Sequence, residues 1–129
     1  MPHVCIHMRT GRTAPEKKSL LDAVHASLVE NFKIPAQDRF LRVLEYAPED
    51  FEVPPARSGA FVLIEISAFA GRSLEAKRGL YKGIITRLCA LGMDALDAMI
   101  ILNEPHRDNW GIRGGFPASE VDLGYSVDV

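Results

Sequence analysis

Apolar and polar residues alternate where the chain begins. Pro2, Val4, Ile6 and Met8 fall on one side of an extended segment, and His3, Cys5, His7 and Arg9 on the other. This period of two predicts a strand with one face toward a core. The period then becomes helical: Leu20, Leu21, Val24, Leu28 and Phe32 recur on one face, with Glu16, Lys17, Asp22 and Glu30 outside. Thr13 and Glu16 stand at capping-box spacing and Pro15 occupies the first turn, where a missing N–H costs little. A helix is therefore expected through about Asn31, ended by Ile34-Pro35. Phe40 to Tyr46 is aromatic and β-branched enough to be a second strand, and the prolines of Ala47 to Ser58 make that stretch a connector.

The plan then repeats. Ala60 to Ala70 is nearly unbroken in apolar character and predicts a strand buried on both faces. Ser73 caps a helix carrying Leu74, Leu80, Ile84, Leu88 and Leu91, closed by Gly92, and Ala98 to Leu102 reads as the last full strand. An offset of sixty aligns Gly11 with Gly71, Arg12 with Arg72, Thr13 with Ser73, Leu20 with Leu80, Val24 with Ile84 and Leu28 with Leu88. The chain thus reads as one α+β domain over 1–129, a tandem β-α-β duplication with repeats at about 2–47 and 60–104 and a tail at 105–129. Right-handed crossovers make this a four-stranded sheet with two helices on one face. The other sheet face is left open, so copies of the same chain are expected to cover it, with the tail wrapping a neighbour.

Composition narrows the function classes. At 129 residues the chain can bury a core without disulfides or metal. A net charge of −2 with 25% charged residues offers no field for nucleic acid or a membrane surface. No run is long enough to span a membrane, and Cys5 and Cys89 lack paired spacing, which suggests reduced thiols and a cytoplasmic setting. His3 and His7 share a strand face but lie too far apart for one metal, and no third ligand is spaced to join them, so no metal or other cofactor is expected.

Two features carry chemistry. Removal of Met1 would free the secondary amine of Pro2, a nitrogen on the apolar side of the first strand, where burial disfavours its charged form. Arg12 and Arg72 stand at the junction of strand and helix in the two repeats, where a guanidinium fork suits a carboxylate. With Gly11-Arg12-Thr13, the duplication and Pro2 after Met1, the chain resembles the tautomerase superfamily, of the 4-oxalocrotonate tautomerase type. Ile34-Pro35-Ala36-Gln37-Asp38-Arg39-Phe40 and Asp108-Asn109-Trp110-Gly111 resemble its malonate semialdehyde decarboxylase group.

The resemblance implies a homotrimer and roles for individual residues. Pro2 would be the catalytic amine, Asp38 the aspartate beside it, and Arg72 the grip on the substrate carboxylate or carbonyl. Arg12, Trp110 and Arg113 are further candidates for substrate binding. The decarboxylase group carries a second arginine two residues before Arg72, where this chain has Ala70. The expected activity is therefore keto-enol tautomerisation of a 2-oxo or enol carboxylic acid, with Pro2 as base. The alternatives are a decarboxylase or hydratase using protonated Pro2 as acid, and a non-catalytic oligomeric binding protein.

Overall fold

A computed structural model describes residues 1–129. Strand β1 (His3–Arg9) leads into helix α1 (Ala14–Phe32) and strand β2 (Phe40–Tyr46); strand β3 (Val62–Ser67), helix α2 (Leu74–Ala90) and strand β4 (Ala98–Asn103) follow. The sheet order is β2-β1-β3-β4. β1 runs parallel to β2 and β3 parallel to β4, and the two halves join through an antiparallel β1–β3 pair. In that pair His3 faces Ser67 and Met8 faces Val62, so the end of each half's first strand meets the start of the other's. A two-fold relation between the halves follows, and it decides which arginine reaches which strand start.

The local signals explain the helices. Thr13 accepts from the Glu16 N–H while Glu16 accepts from the Thr13 N–H, a complete capping box at the start of α1. At the end of α2, Gly92 adopts φ +93°, its N–H bonds to the Cys89 carbonyl, and the Met93 N–H bonds to the Leu88 carbonyl. That paired closure needs a left-handed residue, which glycine supplies without strain.

Both helices cover the same sheet face. Val4, Ile6 and Met8 of β1 and Val62, Ile64 and Ile66 of β3 meet Leu20, Val24, Leu28 and Phe32 of α1 and Leu80, Ile84 and Leu88 of α2 in one core. Each fully buried side chain of this size contributes about 1.5–3 kcal/mol by leaving water. Neither half could close that core alone.

Two expectations are corrected. The apolar run from Ala60 to Ala70 is not buried on both faces. Val62, Ile64 and Ile66 are fully buried, whereas Leu63, Glu65 and Ser67 are only half-buried on the open face, because the helices lie on one side. The tail, expected to wrap a neighbour, folds onto its own chain. Gly111–Ile112 and Phe116–Pro117 pair as β5 and β6, and Phe69, Ile112, Ala118 and Val127 form a second small core. The tail returns to the start of α2, where the Ser73 N–H donates to the Val129 carbonyl. The open sheet face leaves Phe40, Leu44, Met99 and Ile101 exposed, an unusual concentration of apolar surface. No helix is long and apolar enough to cross a membrane.

Candidate active site

The first residues of β1, the loop between α1 and β2, the start of α2 and the tail converge at one end of the sheet. Met1 is part of the chain, so its ammonium carries the terminal charge and Pro2, buried, is an amide. That ammonium donates to Asp38 Oδ2 at 2.5 Å and to the Tyr125 hydroxyl at 2.8 Å. Burial lowers its pKa most, and the charge of Arg72 lowers it further; the hydrogen bond and charge of Asp38 act in the opposite sense. The chain start therefore lies between a carboxylate and a guanidinium.

Asp38 is held there by its loop. Pro35 ends α1 geometry, and the Asp38 N–H closes a turn on the Pro35 carbonyl at 3.0 Å. His25 of α1, buried, bonds through Nε2 to the Ala36 carbonyl at 2.7 Å. A carbonyl only accepts, so Nε2 carries the hydrogen. Arg39 does not neutralise its neighbour Asp38; it pairs with Asp22 at 2.7 Å.

Arg72 is the most unusual group. Its side chain is only 6% exposed, its guanidinium stacks over the Phe32 ring at 4.8 Å, and Nη1 donates to the Phe69 carbonyl at 3.1 Å. Nε and Nη2 are buried and make no well-formed hydrogen bond, although the Tyr125 hydroxyl is close enough to the guanidinium to act on it as a looser hydrogen-bond partner. Burial pushes its pKa down, while Tyr125, Glu104 and Asp128 oppose that shift. Incompletely paired donors on a buried cation are costly, about 1–3 kcal/mol or more each, and a ligand that takes them up is one way to offset that cost. Tyr125, whose pKa is raised chiefly by burial and then by Asp38, lies between these groups.

A cavity of about 260 Å³ opens here, lined by Met1, Pro35, Gln37, Asp38, Ile112, Arg113, Leu123 and Tyr125. Of the sequence candidates, the structure brings Pro2, Asp38, Arg72 and Arg113 to this end. Arg113 lines the wall with Nη1 on the Asp122 carbonyl at 2.7 Å. Trp110 does not line the cavity. Its ring packs edge-on against Phe69 at 4.9 Å and its indole N–H donates to the Pro105 carbonyl, so it supports the small core behind the site. Arg12 is placed elsewhere: it lines a larger cavity at the opposite end of the sheet, because the antiparallel β1–β3 pair carries the end of β1 away from Pro2. Tyr125, Gln37 and Leu123 were not among the sequence candidates. Only a scatter of aromatics in the tail hinted at the first.

Chemically, the end of the sheet offers a titratable nitrogen, a carboxylate and a phenol on one small cavity of mixed polarity, with the buried guanidinium of Arg72 acting on the chain start from beside it. No group of His, Cys, Asp and Glu is arranged to hold a metal.

Known proteins match the sequence and the fold. Two family models, both described as tautomerase enzymes, match residues 38–113 and 2–60. A probable tautomerase of Bacillus subtilis (strain 168), YusQ, is 28% identical over 121 residues, covering 89% of this chain and 95% of that one. The crystal structure of a malonate semialdehyde decarboxylase is 31% identical, covers 87% of this chain and 92% of its own, and superposes with a TM-score of 0.80. The FG41 malonate semialdehyde decarboxylase inhibited by 3-bromopropiolate is 28% identical, with coverage of 94% and 98% and a TM-score of 0.83. A fused 4-OT, solved as a symmetric trimer, is 27% identical over 90% of this chain and 95% of its own, with a TM-score of 0.78. With both halves matched and relatives aligned along nearly its whole length, this chain belongs to the tautomerase superfamily.

Proposed function

We propose that this superfamily enzyme is a keto-enol tautomerase acting on a small 2-oxo acid or its enol, with the Pro2 amine, freed by removal of Met1, as the base. The observation that supports it is Arg72, a buried guanidinium beside the start of the chain with two donors in no well-formed hydrogen bond. In the ketone-to-enol direction, neutral Pro2 takes a proton from the carbon next to the carbonyl. The electron pair moves onto the carbonyl oxygen, where the guanidinium donors stabilise the charge. In reverse, the protonated amine returns the proton to carbon. A positioned acid-base group typically contributes about 10²- to 10⁴-fold, and fixed donors at a developing oxyanion about 10²- to 10³-fold each. Burial lowers the pKa of the Met1 ammonium most, Asp38 opposes that and Arg72 adds to it; the same surroundings acting on a Pro2 amine would leave the lowering ahead and favour the neutral form this role needs.

A second reading is decarboxylation or hydration with a protonated Pro2. The contact of Asp38 with the chain start favours it, since a carboxylate there keeps a nitrogen charged. Two of the relatives are malonate semialdehyde decarboxylases. Against it, Ala70 stands where that group carries its second arginine. The assembly that fits the exposed sheet face is a homotrimer, as in the fused 4-OT relative.

The test begins with an intact mass, which reports whether Met1 is removed. Phenylenolpyruvate ketonisation by the processed protein and by Pro2→Ala follows. Loss of at least a hundredfold in kcat/KM is expected; unchanged activity in Pro2→Ala would overturn the mechanism. Release of carbon dioxide from a β-keto acid without any ketonisation would select the second reading.

A further inference from the structure

We infer that the protein carries a second ligand site, for a small monocarboxylate with an apolar tail, in a cavity of about 770 Å³ at the far end of the sheet. The site follows from the two-fold relation between the halves. Because β1 and β3 run antiparallel, Arg12 stands to the start of β3 as Arg72 stands to the start of β1. The ladders extend the correspondence. His3 pairs with Phe40 and Leu63 with Met99, so Asp38 and Asp97, each two residues before those partners, occupy equivalent places. What differs is the centre. Where the first site has the chain start, the second has the connector from Ser58 to Phe61, whose nitrogens are amides. The far cavity therefore keeps a guanidinium and a carboxylate but has no amine to act as base: it can bind and cannot repeat the proton transfer.

The unclaimed polar atoms decide what it binds. Its three carboxylates are occupied by their own chain. Asp97 accepts from the Ser58 N–H at 3.0 Å and the Ser58 hydroxyl at 2.5 Å, Glu16 from the Thr13 N–H at 3.0 Å, and Asp94 from the Leu96 N–H at 2.8 Å. The arginines are not. Arg12 gives Nη2 to the Ala60 carbonyl at 2.7 Å and leaves Nε and Nη1 free; Arg9 gives Nε and Nη2 to the Phe51 carbonyl and leaves Nη1. The arginine ion pairs of the chain belong to Arg39, Arg78 and Arg87, so neither guanidinium in this cavity is ion-paired. The cavity thus presents unclaimed guanidinium donors at one wall, which suits a carboxylate fork. Glu16 and Asp97 act on Arg12 by charge without ion-pair contact, and the lining carries three carboxylates against two guanidiniums. A ligand anion is therefore held by the donors of the fork rather than by net charge, and a second negative charge, with no fork to receive it, adds only repulsion. Leu20, Leu91 and Met93 form the apolar part of the lining, which seats a hydrocarbon tail.

The experiment uses the full-length protein labelled with ¹⁵N and titrated with hexanoate and, separately, with adipate, whose chain is of equal length with a carboxylate at each end. The amides of Gly11, Gly59 and Gly92 line the cavity and report on it. Hexanoate is expected to shift these three amides saturably in the native protein and in Arg72→Gln, and adipate to bind at least fivefold more weakly. Arg12→Gln should abolish the shifts, and Arg12→Lys, which keeps the charge but loses the fork, should weaken binding about tenfold; the same spectra report whether each variant is folded. Absence of saturable shifts, equal binding of adipate, or shifts that survive Arg12→Gln and vanish in Arg72→Gln would each overturn the inference. The outcome is independent of the acid-base reading, since Pro2→Ala leaves this cavity untouched.

Discussion

Arg72 and Arg12 are the same residue type in the same motif, and only their surroundings separate them. Arg72 is buried over Phe32 with two donors in no well-formed hydrogen bond; Arg12 is half-exposed and ties one donor to Ala60. The field of Arg72 on the chain start yields a test with a definite sign. Burial and Arg72 lower the amine pKa and Asp38 raises it. If the same charges act on the Pro2 amine, Arg72→Gln should move the rising limb of the kcat/KM profile to higher pH, and Asp38→Asn should move it to lower pH. Profiles of ketonisation rate against pH between about 5 and 9 check this. A limb that stays fixed in both variants would mean that the titrating group is not the amine. At this scale the sequence singled out Pro2, Asp38 and the arginines as candidates because each sits beside a local signal. Tyr125 carried none, being delivered by a tail without period, and which arginine belonged to Pro2 depended on a strand pairing that no local pattern records.

At the scale of elements, the helices and strands were legible because their causes are local. The capping box of Thr13 and Glu16, the spacing of Leu20, Val24 and Leu28, and the glycine at 92 each act within a few residues. Thr13→Ala should lower stability by about 1 kcal/mol, visible as a midpoint shift of a few degrees on thermal unfolding. No change in midpoint would show that the cap is not limiting. The strand β3 was less legible. Its unbroken run of apolar residues hides Glu65, and only the one-sided placement of both helices reveals which positions are buried. The tail was the least legible element, since β5, β6 and the turns around them hold together through Phe69, a residue more than forty positions upstream of Ile112.

The whole molecule presents a sheet with one finished and one unfinished face. Phe40, Leu44, Met99 and Ile101 are 42%, 47%, 55% and 40% exposed, more apolar area than a solitary chain keeps in water without cost. If this face is the contact between three copies, replacing Met99 and Ile101 together with Glu should give monomers on analytical ultracentrifugation, while the native protein sediments as a trimer. A native monomer would sink that assignment. Near the middle of the same face, His7 bonds to the Tyr46 hydroxyl at 2.6 Å and lies 3.3 Å from Glu65. Polar groups of this kind set among the apolar ones would fix how the copies align, because a mismatched pairing leaves them unsolvated and unpaired.

The antiparallel seam between β1 and β3 gives the two ends of the sheet the same strand arrangement, and the chain start, the tail with Tyr125 and the burial of Arg72 distinguish one from the other. Circular permutation that opens the connector before Ala60 would bring a free terminal amine to the other end. The new terminus would emerge beside Arg12, and the old one would be sealed by a linker. A permuted gene therefore separates what a terminal amine contributes from what the tail and the buried arginine contribute.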